Sequence, residues 1–198
     1  MRRWLLAGLV VVSGLGLVAE LAGDSALCEQ LSLSGEHNLP TWYASSLLLG
    51  CAIAAGAIAR APTAWKKHWW AVAIGFGYVS LDETAELHEH LGGHLDTTGI
   101  LYFDWVIWAA IALVVLAVLF YPWLRGLPPR LRRRLVLAAM IYVGGALVME
   151  LPLGWWTDHH GDDNLGYALI DWLEETLELA GASLALAALV DHRRTAAT

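Results

Sequence analysis

Residues 71–94 read AVAIGFGYVSLDETAELHEHLGGH, an apolar run that passes directly into a cluster of acidic residues and histidines. The apolar half follows the Trp69 and Trp70 pair and is typical of a membrane-spanning helix that starts at an interface. The polar half is unusual there, because an unpaired ionised group in hydrocarbon costs at least about 2.5 to 3.5 kcal/mol. Its ionisable residues are Asp82, Glu83, Glu86, His88, Glu89, His90 and His94. Other parts of the chain, or a ligand, must compensate them.

The composition extends the membrane interpretation to the whole chain. Of 198 residues, 58% are hydrophobic and 16% are charged, whereas a soluble domain carries about 25% charged residues. Several apolar segments are long enough for about 30 Å of hydrocarbon at 1.5 Å per residue. They are residues 4–23, 40–59, 69–90, 101–123, 135–155 and 165–190. We predict an all-α polytopic membrane protein, a six-transmembrane-helix bundle that forms a single transmembrane domain over residues 1–198.

The basic residues predict the orientation of this bundle. All 12 Lys and Arg residues lie on one side if the six segments cross the membrane, and the positive-inside rule assigns that side to the cytoplasm. Both termini are then cytoplasmic. The first segment follows Arg2 and Arg3 and also fits a signal peptide, so its cleavage is an alternative to a retained span. We expect a multi-pass protein of a bacterial inner (plasma) membrane, with its acidic side facing outward.

The heights of the carboxylates along the segments predict a layer in the outer half of the membrane. At 1.5 Å per residue from the cytoplasmic ends, Asp82 and Glu178 both lie about 20 Å up. Further carboxylates from four segments lie about 25 Å up, namely Glu20, Glu86, Glu150 and Glu174. We expect Asp82 to lie opposite Glu178, and Glu86 opposite Glu174.

Helical periodicity gives the third and sixth segments one acidic face each. At 100° per residue, the residues on each face fall within about 120° of the helix, while His88 points elsewhere. They are Asp82, Glu83, Glu86, Glu89 and His90 on the third segment, and Asp171, Glu174, Glu175 and Glu178 on the sixth. We expect the two faces to meet inside the bundle, since carboxylates facing lipid would oppose insertion. Gly144 and Gly145 indicate close helix packing.

A metal site is the predicted use of these residues. No Lys or Arg lies in the outer half, so the carboxylates must hold protons or bind a cation. Mixed oxygen and imidazole ligands favour Zn, Mn or Fe, and facing helices supply inward Glu and His to metal in helical bundles. The predicted ligands of this divalent metal are Asp82, Glu86, His88, His90, Glu150, Glu174, Glu175 and Glu178. The alternatives are a solvated helix end at residues 82–90 and a dipole-stabilised first helical turn at residues 174–178.

Three blocks carry a resemblance to a known family. NLPTWYASSLLL (Asn38 to Leu49), SLDETAELHE (Ser80 to Glu89) and EETLELAG (Glu174 to Gly181) resemble the NLPTW-S, SLDE-HE and EE-LE-G blocks of an uncharacterised family of bacterial multi-pass membrane proteins. The resemblance implies a shared six-span architecture and little chemistry. The pattern positions that it implies are Asp82, Glu83, His88, Glu89, Glu174, Glu175 and Glu178.

Three classes of function fit these patterns. The first is a metal-dependent membrane enzyme, a hydrolase or an oxidoreductase, that acts on a lipid or small amphiphile at the outer leaflet, with Glu83 or Glu89 as the catalytic base. The second is a divalent-cation or proton transporter, because intramembrane carboxylates also mark ion pathways. The third is an accessory membrane subunit with a structural cation. Membrane lipid is the expected partner, nucleic acid is not, and the oligomeric state stays open.

Overall fold

The structure is a computed structural model that describes residues 2–23, 25–88, 92–93 and 95–196. These residues form helices and connecting segments, with no β-strand among them. The α-helices are α1 (Arg3–Ala22), α2 (Ala26–Glu29), α3 (Leu39–Arg60), α4 (Lys66–Ala85), α5 (Trp105–Gly126), α6 (Pro129–Val143), α7 (Glu150–His160) and α8 (Leu165–Ala196). A π-helical segment, Gly144–Met149, joins α6 to α7, and a short 3₁₀ turn, Gly99–Leu101, precedes α5. The all-α prediction is confirmed for the described residues.

Within the described residues, four helices are long and apolar enough to cross a membrane. They are Arg3–Ala22, Leu39–Arg60, Trp105–Gly126 and the continuous helix Pro129–His160. Helices α4 and α8 are also long enough, but ionisable side chains interrupt their apolar faces, and these are the helices that carry the predicted site. The protein is therefore helical with several membrane-spanning candidates, and the six-span count stays a prediction.

Helix α8 is the centre of the bundle. It packs against α1, α3, α6 and the π-helical segment. Its half nearer the C-terminus is rich in alanine, and Leu179, Ala182 and Leu189 are almost completely buried there. Small side chains let the neighbouring helices approach closely, which is how helices associate where the surrounding lipid is as apolar as they are.

Helix α3 is positioned by its first residues. The Asn38 side chain caps the helix by accepting a hydrogen bond from the Thr41 amide at 3.2 Å. The same side chain donates to the carbonyls of Ser32 and Gly35 at 2.8 Å, which ties the preceding loop to the helix start. Pro40 lies in the first turn, where its missing N–H is not needed.

Helices α3 and α4 pair closely along their length. Ser80 donates to the Ser45 carbonyl at 2.8 Å, and Ser45 donates to the Ser80 carbonyl at 2.7 Å. This reciprocal pair fixes α4 against α3 one turn below the residues of the predicted site.

Basic residues and aromatic rings close the end of the bundle that carries the Lys and Arg residues, here called the basic end. Trp69 is buried, with its ring 5.1 Å from that of Trp123 and 5.8 Å from that of His192. Arg134 and Arg2 donate to the two carboxylate oxygens of Asp191 at 2.7 and 3.0 Å. The ion pairs join α6, α8 and the start of α1.

The Asp191 ion pairs predict a pH-dependent contribution to stability. The hydrogen bond from Arg134, followed by the one from Arg2, holds the pKa of the Asp191 carboxyl below its ordinary value of 3.8. The stabilisation is thus present at neutral pH and is lost as the pH falls through the lowered pKa. We expect Asp191→Asn to destabilise the protein at pH 7 by roughly 0.5 to 1 kcal/mol, a modest amount because the side chain is 42% exposed.

Thermal unfolding of the purified protein in detergent measures this effect. The exposed Asp96 offers the matched control, since Asp96→Asn removes the same charge at the opposite end of the bundle. The difference between wild type and Asp191→Asn should shrink as the pH is lowered below 3.8. An equal destabilisation at neutral and acid pH would contradict the role of the ion pairs.

Candidate functional site

The first part of the candidate site is the exit of the chain from α4. The predicted helix runs to residue 90, but α4 ends at Ala85, and Glu86 adopts a left-handed backbone with φ of 50°. Asp82 then accepts a hydrogen bond from the His88 amide at 2.8 Å, and the His88 Nδ1 lies 3.1 Å from the other Asp82 oxygen. The prediction that His88 points away from the acidic face is therefore wrong, because the turn at Glu86 ends the 100° progression on which it rested.

His88 is held on two sides. Asp82 fixes its Nδ1, and the ring of Trp105 at the start of α5 lies 4.7 Å from the imidazole ring. A carboxylate on one ring nitrogen selects the tautomer of the imidazole, which is the usual arrangement behind a metal-binding or proton-transferring histidine.

Glu86 pairs with a histidine of the loop before α3. Its Oε1 is 3.3 Å from the Nδ1 of His37 in the loop before α3. His37 and Glu86 are the two non-glycine residues with positive φ among the described residues, at 57° and 50°. A left-handed backbone is uncommon for such residues, so the contact between the two loops fixes both turns. The expectation that Glu86 lies opposite Glu174 stays a prediction.

Glu83 is the α4 residue that faces α8. Its carboxylate interacts electrostatically with Glu175 and Glu178 of α8, and with His88 on its own side. The sequence predicted Asp82 in this place, opposite Glu178. Neighbouring residues of a helix are 100° apart. Because the rotation of α4 directs Glu83 toward α8, Asp82 points to a different side, where it binds His88 in the segment after the helix.

The second part of the site is the acidic face of α8 and the start of α7. Glu174 is 6% exposed and Glu150 is 9% exposed, and the two carboxylates interact with each other. The Oε2 atom of Glu174 has no hydrogen-bond partner among the described residues. Asp171 and Glu178 are the other like-charged neighbours of Glu174. The structure thus brings the carboxylates of Glu150 on α7 and Glu174 on α8 together, as their predicted heights imply.

The π-helical segment between α6 and α7 completes this part of the site. A Cβ added at Gly145 would lie 2.7 Å from the Glu174 carbonyl oxygen and 2.9 Å from the Glu178 Cγ, so only glycine allows this approach. An added Cβ at Gly144 meets nothing within 4 Å, so close packing is confirmed for Gly145 and is wrong for Gly144. π-Helical insertions often occur at functional sites.

Two positioning residues were missed by the sequence interpretation. The Tyr142 side chain on α6 interacts electrostatically with Glu178, and nothing in the apolar run around it indicates this. Asp104 is 1% exposed, and its two carboxylate oxygens accept hydrogen bonds from the Gly93 and Leu95 amides at 2.7 Å. It fixes the loop after the site.

Glu20 has a structural role in the described part of the chain. Its Oε1 accepts hydrogen bonds from the Ser32 hydroxyl at 2.6 Å, the Leu33 amide at 3.1 Å and the Ser34 amide at 3.2 Å. It therefore anchors the loop between α2 and α3 to the end of α1. The same loop reaches the site, because the Ser34 side chain interacts with Asp171 of α8.

The predicted metal ligands are distributed over several elements of the fold. Among the described residues, no group of three or more His, Cys, Asp or Glu side chains stands in an arrangement that could hold a metal ion. The predicted ligand His90 and the predicted base Glu89 lie outside the described residues, as does His94. The remaining predicted residues include the pair of Asp82 with His88 and Glu86 beside His37. The others interact electrostatically with one another, and they are Glu83, Glu150, Glu174, Glu175 and Glu178.

Comparison with known proteins adds one finding. Residues 3–192 match the family model described as Domain of unknown function (DUF8692). The chain belongs to this family. The DUF8692 match includes α1 to α7, most of α8 and every predicted site residue. No curated protein and no solved structure matches the chain. Membership in DUF8692 agrees with the resemblance to an uncharacterised family, while the three sequence blocks and the bacterial origin stay predictions.

Proposed function

We propose that this chain is a six-span inner-membrane protein, with cytoplasmic termini, whose outer half binds a divalent metal and uses it in an enzymatic reaction. The proposed substrate is a lipid or small amphiphile that reaches the site from the outer leaflet. The proposal keeps Zn, Mn or Fe as the metal, because carboxylate oxygens and imidazole suit these ions. It revises the predicted ligand set in the light of the observed contacts.

The observation that supports this proposal is the electrostatic interaction of Glu83 with Glu175, Glu178 and His88. No Lys or Arg lies on this side of the proposed six-span bundle. Like-charged carboxylates can share a confined site only if they hold protons or bind a cation. Glu174 is buried, and its Oε2 atom has no hydrogen-bond partner among the described residues. This oxygen is therefore available as a further metal ligand.

The residues divide into three roles. Glu83, Glu178 and His88 would ligate the metal, and Asp82 would orient His88 from behind, as carboxylates commonly do for metal-bound histidines. Glu174 and Glu150 would supply further oxygen ligands or a proton acceptor. When bound, the metal would lower the pKa of a coordinated water or polarise a substrate oxygen.

The basic end favours an enzyme over a transporter. Below Glu178, the rest of α8 to Val190 contains no ionisable residue, and Leu179, Ser183 and Leu189 are buried there. The Trp69 and Trp123 rings and the Asp191 ion pairs close the same end. A transporter needs polar groups along the whole ion pathway. Ionisable residues that lie only in the outer half of the bundle therefore suit an enzyme site better than a continuous ion pathway.

Elemental analysis of protein purified in a mild detergent tests the proposal. We expect wild type to retain a divalent metal and the double variant Glu83→Gln, Glu178→Gln to lose it. Asp82→Asn should lower metal affinity roughly 10- to 100-fold through the loss of His88 orientation. Asp163→Asn is the matched control, because Asp163 is an exposed acidic residue of the loop before α8.

Different outcomes distinguish the classes of function. Equal metal content in wild type and the double variant would exclude the proposed centre. Cation or proton flux in liposomes that Glu178→Gln abolishes would replace the enzyme with a transporter. Metal retention whose removal lowers the melting temperature, with no turnover of lipid substrates, would assign a structural cation and an accessory role.

A further inference from the structure

A cavity lies between α3 and α4 near the basic end of the bundle. It has a volume of about 340 Å³, which is within the range of small-ligand sites. Gly56, Ala57 and Ala73 form its wall, and Arg60 and Trp70 lie at its basic end. It is separate from the acidic site, which lies at the opposite end of α4.

The cavity exists because the facing side chains are small. The residues of α3 that line it recur every three or four positions, so they form one stripe along the helix. A Cβ added at Gly56 would lie 3.6 Å from the Trp70 ring and 3.8 Å from the Ala73 Cβ, which is ordinary contact and leaves the space beyond unfilled. Ile53, at the other end of the cavity, is 64% exposed, so the groove is open to the surrounding lipid.

The charge at the end of the groove identifies the occupant. The Arg60 guanidinium lies 5.9 Å from the centre of the Trp70 ring, and it forms no ion pair among the described residues. The connection RAPTAWKKH, residues 60–68, adds Lys66 and Lys67 and contains no acidic residue. An apolar groove that opens to lipid and ends at basic side chains complements an acyl chain that carries an anionic headgroup.

We propose that this groove binds one anionic phospholipid, with an acyl chain along Gly56 and Ala57 and its phosphate on Arg60. Trp70 would border the glycerol region, as tryptophans do at membrane interfaces. The proposal shares the membrane orientation of the proposed function, but it does not depend on the carboxylate centre. Loss of the metal site would leave it intact.

Native mass spectrometry of the full-length chain, released from detergent micelles, tests this assignment. The probes are phosphatidylglycerol and phosphatidylcholine with identical acyl chains. We expect wild type to retain phosphatidylglycerol preferentially, and Arg60→Gln to lower that preference about fivefold, the change expected for one basic residue near an anionic surface. Arg193→Gln is the matched control, because Arg193 is an exposed arginine of the same membrane face.

A second pair of variants tests the groove itself. Gly56→Leu and Ala57→Leu fill the cavity from different positions, and each should lower the retention of both lipids while Arg60→Gln affects only the anionic one. Equal effects of Arg60→Gln and Arg193→Gln would overturn the proposal, since they would show a diffuse charge effect. Unchanged lipid retention in either folded leucine variant would overturn it as well.

Discussion

Gly145→Ala is expected to destabilise the protein by about 1 to 3 kcal/mol, the range for inserting a methyl group into a packed interior. The added Cβ would lie 2.7 Å from the Glu174 carbonyl oxygen and 3.2 Å from the Glu178 amide nitrogen. Both atoms belong to the backbone of α8 and cannot rotate away. The π-helical segment would therefore have to withdraw from α8 and separate Glu150 from Glu174.

Gly144→Ala provides the matched control for this prediction. Its added Cβ meets nothing within 4 Å, and alanine is favoured over glycine inside a helix by about 0.5 to 1 kcal/mol. Thermal and denaturant unfolding in detergent should thus show opposite signs for adjacent substitutions of the same chemistry. Equal stability of Gly144→Ala and Gly145→Ala would contradict the close approach to α8.

Glu174→Gln is expected to stabilise the metal-free protein and to remove its stabilisation by metal. In wild type the Glu174 carboxyl group is buried beside Glu150, Asp171 and Glu178, with an oxygen that lacks a hydrogen-bond partner among the described residues. An unsatisfied buried polar group costs about 1 to 3 kcal/mol. The glutamine amide carries no charge and can donate to the neighbouring carboxylates.

The metal response separates this prediction from a purely structural one. A ligand at a hundredfold excess over its dissociation constant stabilises a protein by about 2.7 kcal/mol. Wild type should gain such stability on addition of Zn²⁺ or Mn²⁺, and Glu174→Gln should gain much less. Asp163→Asn, in the exposed loop before α8, should behave as wild type in both conditions. Lower stability of Glu174→Gln in the presence of a chelator would contradict the account.

Much of the fold follows from the sequence, because apolar length and the caps of the helices are local properties. Asn38 and Pro40 begin α3 where the polar loop meets the apolar run. The heights of the carboxylates, counted at 1.5 Å per residue, also predicted that Glu150 and Glu174 lie at the same level. This prediction is robust because the rise per residue does not depend on how a helix is rotated. The same reasoning predicted a carboxylate layer, and its α7 and α8 members, Glu150 and Glu174, interact electrostatically.

The rotation of each helix could not be predicted in this way. The direction of a side chain follows from 100° per residue only while the helix continues. The left-handed turn at Glu86 ends α4 before His88, so the periodicity could not predict where His88 lies. The choice between Asp82 and Glu83 depends on how α4 packs against α3, which the Ser45 and Ser80 pair fixes. These contacts join residues far apart in the chain, so no local pattern records them.

The π-helical segment was also beyond the sequence pattern. Its wider turn shifts the register between Tyr142 and Glu150, which a uniform helix would place about 80° apart. Gly144 and Gly145 gave a local signal of close packing, but the sequence does not distinguish the two glycines. In the structure, an added Cβ at Gly145 would meet α8, whereas one at Gly144 would meet nothing within 4 Å. Which of them approaches α8 depends on the tertiary packing.

Anomalous scattering from crystals of the full-length protein grown with Mn²⁺ or Zn²⁺ tests the central claim most directly. The account predicts an anomalous peak between α4 and α8, within coordination distance of Glu83, Glu178 and His88, that is lost in the Glu83→Gln, Glu178→Gln variant. Well-folded wild-type crystals with no peak there, or with a peak that the variant retains, would contradict it.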